Sequence, residues 1–357
     1  MKILHAAETI KGGVATVMQQ HLERQSKGED CNCIYLIPDS QVEDIKHPYP
    51  NKKNMRTFKH SGRGVLSSIN FLYVFVKLLF LEKPNVVHLH SSFAGFWGRV
   101  VLLLAKCIGS NIKVIYCPHA FSFLMDTSEW KKVIYFKIEK ILALATNTII
   151  CVSRFEYEAA IKGGLPKHKM IVVYNGVEDG SDLASYQGNE HEAIKILWVG
   201  RLDYQKGFDL FVDAINRLGN HDLDITVIGD YVYDEFKVGN LSGINMIGWV
   251  DREEVRSWYS KADVLVMASR WEGFAMTPLE AMSFGLPVIS SDCTSCPEMI
   301  IDDETGFLFK TESVDSLVEL LKGLNKSKLA SMRPKTIAHF QANFTQNKMT
   351  DQTFELY

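Results

Sequence analysis

The apolar residues of this chain form short strand-like runs that alternate with helical patterns, and the alternation starts twice. Strand patterns of the first series occupy residues 2–6, 34–38, 86–90, 113–117, 148–152 and 171–174. Those of the second series occupy residues 195–199, 224–228, 264–268 and 287–291. Strands separated by helices form parallel sheets with helices on both faces, so the pattern predicts an α/β protein with two such sheets.

A polar segment at residues 178–193, rich in Gly, Ser, Asp and Glu, separates the two series. The 357 residues are enough for two domains of roughly 100–200 residues each. We therefore predict a first domain over residues 1–178, a linker over 179–193 and a second domain over 194–335. Residues 336–357 have a helical pattern without a new strand, and we expect them to pack back on the first domain.

The net charge of −3 conceals an asymmetry between the two halves. Residues 1–180 contain 23 Lys and Arg against 15 Asp and Glu, whereas residues 181–357 contain 16 against 27. A basic half suits anionic lipid, nucleic acid or a phosphorylated substrate, and nucleic acid is the least supported because no recognition motif accompanies the charge. The basic, acid-free run 46–63 and the basic-aromatic segment 130–140 fit a membrane surface, with a solvated loop as the alternative for the run.

Three other features have structural explanations. The apolar stretch 65–81 is about as short as a membrane span can be, and the strand that follows it favours a packed crossover helix. His88 and His90 share one face of a strand, and a structural or substrate-facing pair is favoured over zinc because no third ligand lies close in sequence. The seven scattered cysteines predict reduced cytosolic thiols, and a redox or metal role for Cys293 and Cys296 is disfavoured.

Two positions in the first half lie where strands end. Gly12 and Gly13 follow the first strand and would let the backbone approach a ligand closely, although they match neither G-x-G-x-x-G nor a P-loop. A plain turn into a helix is the alternative. His119 follows the strand at 113–117, at the sheet edge where α/β proteins gather their chemistry.

In the second half, Arg201 and Lys206 lie between Gly200 and Gly207, in a loop after the first strand. A guanidinium can grip two phosphate oxygens while an ammonium acts as a point charge, so the loop suits a diphosphate. Two solvated loop cations are the alternative. Val250, in a Gly-Trp-Val sequence after the next strand, could flank a nucleobase, or the Trp could be a core residue.

The stretch 264–282 is typical of a strand, a turn and a helix start. Thr277 is predicted as the N-cap, with Pro278 at the first helical position and Glu280 completing a capping box. The helix N-terminus favours a phosphate, and Glu272 and Glu280 suit the hydroxyls of a sugar. In the alternative, Glu280 is only a cap and Glu272 only a surface acid.

Taken in order, these motifs resemble those of family-4 retaining glycosyltransferases. The resemblance runs from residue 2 to about residue 325 and is most specific at Gly200-Arg201, Lys206-Gly207 and the Glu272…Glu280 pair. It implies the GT-B fold, in which two Rossmann-like domains have parallel sheets facing across a cleft. The sequence departs from the family where Ser295-Cys296, in place of a common glycine pair, precede Pro297-Glu298.

The resemblance also implies roles for the candidate residues. Arg201 and Lys206 would hold the diphosphate of a nucleotide-sugar, Glu280 the ribose, and Glu272 the transferred sugar. His119 would lie near that sugar and the acceptor, and Gly13, beside Gly12, would approach the diphosphate from the first domain. Backbone N–H groups would reach the phosphates from Gly273, Phe274, Ala275, Met276 and Thr277.

We therefore expect retaining transfer of a hexose or N-acetylhexosamine, from a uridine-diphosphate sugar, to a lipid-linked saccharide in surface-polysaccharide (O-antigen or capsule) synthesis. The leaving phosphate would help to deprotonate the acceptor, because no carboxylate is placed by the sequence as a nucleophile. We expect no metal or other cofactor and no nucleic-acid partner. The protein would be cytoplasmic and peripheral on the anionic inner face of the membrane. An epimerase of nucleotide-sugars or a non-catalytic nucleotide-sugar-binding protein of the same fold are the alternatives, and a dehydrogenase is disfavoured by the missing glycine fingerprint.

Overall fold

The computed structural model describes residues 1–10, 12–26, 31–42, 54–62, 64–183, 192–219, 222–232, 236 and 238–357. The chain forms two compact units, the first built from residues 1–174 and 347–357 and the second from residues 175–346. Each unit contains one parallel sheet whose strands are joined through helices. The predicted α/β class with two Rossmann-like sheets is therefore confirmed.

The first unit has a parallel sheet in the order β3-β2-β1-β4-β5-β6-β7. Its strands are β1 (Lys2–Ala7), β2 (Asn32–Pro38), β3 (Met55–Phe58), β4 (Val86–His90), β5 (Lys113–Cys117), β6 (Thr148–Cys151) and β7 (Met170–Val172). Its helices are α1 (Gly13–Ser26), α2 (Val65–Glu82), α3 (Ser92–Cys107), α4 (Glu129–Leu142) and α5 (Arg154–Gly163). The strand order reverses between β1 and β4, and the carboxyl ends of strands at such a reversal are where ligands of α/β proteins bind.

Helix α2 is the crossover between β3 and β4, as the sequence predicts. By length and composition alone it is apolar enough to cross a membrane. In the fold it buries Phe71, Phe75 and Leu78 in the same core cluster as Leu4 of β1 and Leu89 of β4. The burial of one face against the sheet accounts for the apolar residues on that side of the helix.

The second unit repeats the arrangement with a sheet in the order β10-β9-β8-β11-β12-β13. Its strands are β8 (Ile194–Val199), β9 (Leu223–Ile228), β10 (Ile244–Gly248), β11 (Val264–Met267), β12 (Val288–Ser291) and β13 (Gly306–Phe309). Its helices are α6 (Phe208–Leu218), α7 (Arg252–Lys261), α8 (Met276–Ser283), α9 (Val314–Lys322) and α10 (Lys326–Asn343). Here the order reverses between β8 and β11, so the ends of these two strands should flank a ligand.

The unit boundaries differ from the predicted ones at both ends of the second unit. The second unit begins at residue 175 rather than 194, and part of the predicted linker, residues 184–191, lies outside the described residues. It also keeps residues 336–346, because α10 is anchored in it: Arg333 donates hydrogen bonds to the carbonyls of Ala262 and Phe284 at 3.1 and 3.2 Å. Val177 pairs with Thr345 in an isolated bridge of the same unit.

The C-terminal helix α11 (Gln346–Phe354) carries the chain into the first unit. Arg24 of α1 forms an ion pair with Asp351 at 2.7 Å. The Tyr357 hydroxyl lies 2.8 Å from Nδ1 of His88, and Lys113 donates to the Tyr357 carbonyl at 3.2 Å. The segment that belongs to the first unit is thus residues 347–357, shorter than the predicted 336–357.

Candidate active site

In the second unit, glycine allows the loop after β8 to pack against the end of β11. Gly207 is the N-cap of α6 and has a φ of +69°. A Cβ atom built on it would lie 1.9 Å from the carbonyl oxygen of Ala268, which no side chain could tolerate. The loop at residues 200–207 and the turn that follows β11 are therefore held side by side.

Lys206 and Glu272, predicted separately, form one ion pair. The Lys206 Nζ atom lies 2.7 Å from Glu272 Oε1, and the Ser269 hydroxyl donates to the same oxygen at 2.7 Å. The side chains are 20% and 7% exposed, so the pair is mostly shielded from water. Glu272 is therefore not a surface acid, and Lys206 is not a freely solvated cation.

Arg201 is anchored on one side and open on the other. Its Nη2 atom donates to Gln205 Oε1 at 2.8 Å and lies 3.2 Å from Asp203 Oδ2. Because both contacts use Nη2 and the side chain is 38% exposed, the rest of the guanidinium is available to an anion. Gln205, which the sequence did not single out, also donates to the Trp271 carbonyl at 3.2 Å and so ties the two loops together.

The helix start after Glu272 lies earlier than predicted. Helix α8 begins at Met276, and the N-cap is Ala275, which makes no side-chain hydrogen bond to the helix. Thr277 therefore lies inside the first turn, and both the Thr277 cap and the capping box with Glu280 are wrong. Ala275 has the extended backbone that is typical of an N-cap residue, with a φ of −67° and a ψ of 137°. Without a side-chain cap, the N–H groups of the first turn remain suited to an anion.

Glu280 lies one turn into α8 and is partly buried. Its Oε2 atom accepts a hydrogen bond from the Tyr259 hydroxyl at 3.2 Å. Burial raises the pKa of Glu280, while the charges of Arg252 and Arg256 and the Tyr259 hydrogen bond oppose that rise. Its predicted contact with a ribose stays a prediction.

The residues predicted beside a nucleobase follow β10. Trp249 is 58% exposed, so it is not a core residue, and the alternative that assigned it to the core is wrong. Val250 is partly buried and precedes Asp251, which caps α7 by accepting a hydrogen bond from the Glu254 N–H. The contact of Val250 with a base stays a prediction.

The loop at Cys293–Cys296 supports the backbone of Glu272. Thr294 has a φ of +39°, which is unfavourable for a β-branched residue. Its hydroxyl accepts from the Glu272 N–H and donates to the Glu272 carbonyl, both at 2.9 Å. The Cys293 and Cys296 sulfurs lie 3.5 Å apart, and all seven cysteines are free thiols. The stretch where the sequence departs from the family therefore positions a predicted site residue.

In the first unit, His119 lies two residues after the end of β5, has a φ of +59° and begins a chain of hydrogen-bonded imidazoles. Its Nε2 atom lies 3.1 Å from His90 Nδ1, and His90 Nε2 lies 3.1 Å from His5 Nδ1. His5 Nε2 in turn lies 3.2 Å from Gln25 Nε2. Burial lowers the pKa of His119 to about 4, so its imidazole is neutral at physiological pH.

Two of these histidines, His5 and His90, form with His88 the arrangement closest to a metal site within the described residues. One nitrogen each of His5, His88 and His90 lie within 4.8 Å of one another. The His88 and His90 rings are stacked, with their centroids 4.0 Å apart. His88 Nδ1 is hydrogen-bonded to Tyr357, which favours the structural interpretation of this residue. The absence of a required metal stays a prediction.

Gly12 and Gly13 lie at the start of α1 in the first unit. Gly12 has a φ of +58°, and a Cβ atom on it would meet nothing within 4 Å. Glycine is therefore favoured there by backbone conformation and not by lack of space. Both glycines are exposed, and their approach to a diphosphate stays a prediction.

Comparison with known proteins identifies the family of this chain. Residues 184–339 match the family model for glycosyl transferases group 1, and residues 11–180 match that for Glycosyltransferase Family 4. An uncharacterized glycosyltransferase of Methanocaldococcus jannaschii is 30% identical over 94% of this chain and 92% of its own. The chain belongs to glycosyltransferase family 4. This glycosyltransferase is also 39% identical to an uncharacterized 41.2 kDa protein in the cps region of Klebsiella pneumoniae, over 90% of this chain and 89% of that protein.

Two further comparisons extend the family relationship. An Escherichia coli UDP-Gal:alpha-D-GlcNAc-diphosphoundecaprenol alpha-1,3-galactosyltransferase is 26% identical over 82% of this glycosyltransferase and 80% of its own length. The structure of sucrose-phosphate synthase from Thermosynechococcus elongatus matches with a TM-score of 0.79 at 18% identity, covering 100% of this chain and 98% of that one. That likeness bears on the fold, which is GT-B as the sequence predicts.

Proposed function

We propose that the enzyme transfers a hexose or N-acetylhexosamine, with retention, from a UDP-sugar to a lipid-linked saccharide during capsule or O-antigen-type polysaccharide synthesis. The observation that carries the proposal is the Lys206–Glu272 pair beside Arg201 and the uncapped start of α8. Breaking the sugar–phosphate bond places negative charge on the leaving diphosphate. Fixed cations and a helix N-terminus can stabilise that charge without reorganisation.

The arrangement of carboxylates supports a same-face substitution. Glu272 is paired with Lys206 and Ser269, and Glu280 is hydrogen-bonded to Tyr259, so neither carboxylate is an unengaged nucleophile. In the proposed step the acceptor oxygen bonds to the anomeric carbon as the carbon–oxygen bond to the diphosphate breaks. The acceptor proton passes to an oxygen of the leaving phosphate. Trapping of a covalent glycosyl-enzyme would overturn this step.

The names of two relatives and the surface of the first unit support the proposed substrates. The E. coli relative is named for a UDP-galactose donor and a diphosphoundecaprenol-linked acceptor, and the K. pneumoniae relative for the cps region. The first half of the chain is basic, and α2 and α4 expose large apolar side chains, among them Tyr73, Phe80, Trp130 and Ile134. Basic charge beside exposed apolar surface supports peripheral binding to the anionic inner face of the membrane.

A screen of nucleotide-sugars with a lipid-linked acceptor extract tests the proposal. We expect nucleotide release only when a UDP-sugar and the extract are both present, together with a lipid product heavier by one sugar residue. An epimerase would convert the donor without any acceptor. A non-catalytic binding protein would release no nucleotide in any combination, and either result would refute the transferase proposal.

A further inference from the structure

A groove of about 440 Å³ lies on the first unit beside α4 and has no role in the donor site described above. Its apolar wall consists of Phe123, Val133 and Phe136. Its basic rim consists of Lys132, Lys137 and Lys140. The groove therefore combines an apolar surface with several positive charges, which is the chemistry of a site for an amphiphilic anion.

The apolar wall is built by packing and not by chance exposure of one side chain. The Phe123 and Phe136 rings meet edge to face with centroids 5.1 Å apart. A Cβ atom on Gly163 of α5 would lie 2.3 Å from the Phe136 ring, so the glycine leaves the space that the ring occupies. Val133 remains 52% exposed at the surface of the groove. An apolar chain placed here would cover Val133 and the accessible part of Phe136, while Phe123, at 8% exposed, forms the floor beneath them.

The rim is basic without a matching acid in the groove. Lys132 pairs with Glu129 at 2.8 Å, but that carboxylate is 85% exposed and the pair is screened by water. Lys137 and Lys140 are exposed, and in the described part of the chain neither forms an ion pair within 4.0 Å. Two unpaired ammonium groups on one helix, three residues apart, favour a ligand that carries more than one negative charge.

The groove is connected to His119 by a short length of chain. Phe123 follows His119 by four residues, within the loop that leaves the carboxyl end of β5. Four residues can span at most about 14 Å between Cα atoms. The Phe123 wall of the groove therefore lies within that distance of the Cα atom of His119.

We propose that this groove binds the diphosphate and the first isoprenoid units of a polyprenyl-diphosphate-linked acceptor. The lysines contact the diphosphate, and Phe123, Val133 and Phe136 contact the isoprenoid chain. The saccharide attached to the diphosphate then extends toward His119. The inference rests on the proposed function, because it assigns the site of the acceptor whose class that function names.

Binding of farnesyl diphosphate to the full chain tests the groove without any catalysis. By calorimetric titration we expect farnesyl diphosphate to bind at least tenfold more tightly than farnesol or inorganic diphosphate. Lys137→Gln with Lys140→Gln should weaken its binding roughly 5- to 30-fold, since each cation near an anionic surface contributes about 1 kcal/mol. Val133→Glu should weaken binding as well, and because Val133 is exposed the substitution leaves the core intact.

Lys131→Gln is the matched control, because Lys131 lies on the same helix but does not line the groove. It should leave the affinity unchanged. Equal losses in Lys131→Gln and in the Lys137→Gln, Lys140→Gln variant would mean general charge attraction and would overturn the proposal. So would phosphatidylglycerol vesicles without isoprenoid lipid that displace farnesyl diphosphate and depend on the same two lysines, since the groove would then be a membrane contact.

Transfer assays separate failure of the groove from failure of the proposed function. With a detergent-solubilised lipid-linked acceptor, the double lysine variant should raise the acceptor KM roughly 5- to 30-fold and leave the donor KM unchanged. Wild-type transfer with an unchanged acceptor KM in the variant would overturn the groove and leave the proposed function standing. Lysine-dependent farnesyl diphosphate binding in a protein that transfers to no lipid-linked acceptor would support the groove and contradict the proposed function.

Discussion

The two units have sheets of the same topology but equip the carboxyl ends of their strands differently. At the first sheet, the side chains that meet are imidazoles: His5 on β1, His90 on β4 and His119 after β5. At the second sheet they are charged: Lys206 after β8 pairs with Glu272 after β11, and Arg201 of the same loop contacts Asp203. The imidazoles at the first sheet can donate or accept hydrogen bonds. The cations at the second sheet can compensate the negative charge of an anion.

The charge at each candidate site differs from the net charge of the unit that contains it. The first unit contains 24 Lys and Arg against 15 Asp and Glu, yet its histidine cluster is neutral. The second contains 15 against 27, yet Arg201 and Lys206 lie together in its loop after β8. The net charge of a unit therefore governs its long-range attraction to charged partners. Ion pairing and burial of individual side chains govern what its site can bind.

The largest effect that should distinguish the units is their response to acid. Burial lowers the pKa of His5 and of His21 to about 3 and that of His119 to about 4, and it holds the pKa of His88 and of His90 well below 6.5. The unfolded chain takes up these protons near pH 6.5, so stability present above that pH falls as the pH decreases toward 4. Below that pH each histidine lowers the free energy of unfolding by about 1.4 kcal/mol per pH unit, and the five together should unfold the first unit at about pH 5.

The second unit should survive this window. Hydrogen bonds from Thr311 lower the pKa of Asp292, so the stability that this carboxylate contributes is lost only below its unfolded value of 3.8. Within the described residues, partial burial lowers the pKa of one histidine of this unit, His339. Limited proteolysis at pH 7.5 and pH 5, with fragments assigned by mass, measures this difference. At pH 5, β1 and β4 of the first unit should be cleaved at an earlier time than β8 and β11 of the second. His21→Gln should move the transition to lower pH, and simultaneous cleavage of both units would contradict the comparison.

The next largest effect should come from the charges of the second unit. Arg201→Ala together with Lys206→Ala should lower the rate of sugar transfer a hundredfold or more, roughly the cost of losing one or two preorganised donors. The rate of nucleotide release, followed in samples quenched at successive times, measures this decrease in the transfer rate. Transfer that continues at the wild-type rate would refute the assignment of Arg201 and Lys206 to the diphosphate.

A matched variant separates lost catalysis from lost folding. Removing Lys206 alone leaves the shielded Glu272 carboxylate without its cation, which destabilises the unit. Lys206→Met with Glu272→Gln removes both charges and restores a neutral interior. If the pair binds the donor, this variant should unfold in urea near the wild-type midpoint and still lack activity. Recovery of activity in it would mean that the pair only supports the fold.

The sequence predicted central strands well and edge strands poorly. Buried runs such as Val86–His90 and Lys113–Cys117 occur with the predicted bounds. The strands that were missed, β3, β10 and β13, all lie at the edges of their sheets. An edge strand pairs on one side only and keeps polar or exposed residues, as Met55–Phe58 and Ile244–Gly248 do, so its apolar pattern is weak.

The residues of the site were easier to predict than their contacts. Arg201, Lys206 and Glu272 follow strand ends and could be selected for that reason. The ion pair between Lys206 and Glu272 joins residues 66 positions apart, and only the adjacency of β8 and β11 creates it. His5 was missed because it lies inside β1, where its buried pattern is that of an ordinary strand residue.

The smallest effect tests whether the histidine edge depends on the returning C-terminal segment. Tyr357→Phe removes the hydroxyl that bonds His88 Nδ1 at 2.8 Å, while the ring that packs near His88 is kept. The buried imidazole then loses a hydrogen bond, which should cost about 1–3 kcal/mol of first-unit stability by urea denaturation. Tyr73→Phe, a change at a 68% exposed position on α2, should cost nothing measurable. Equal midpoints for the two variants would mean that Tyr357 only fills space beside a cluster that is stable without it.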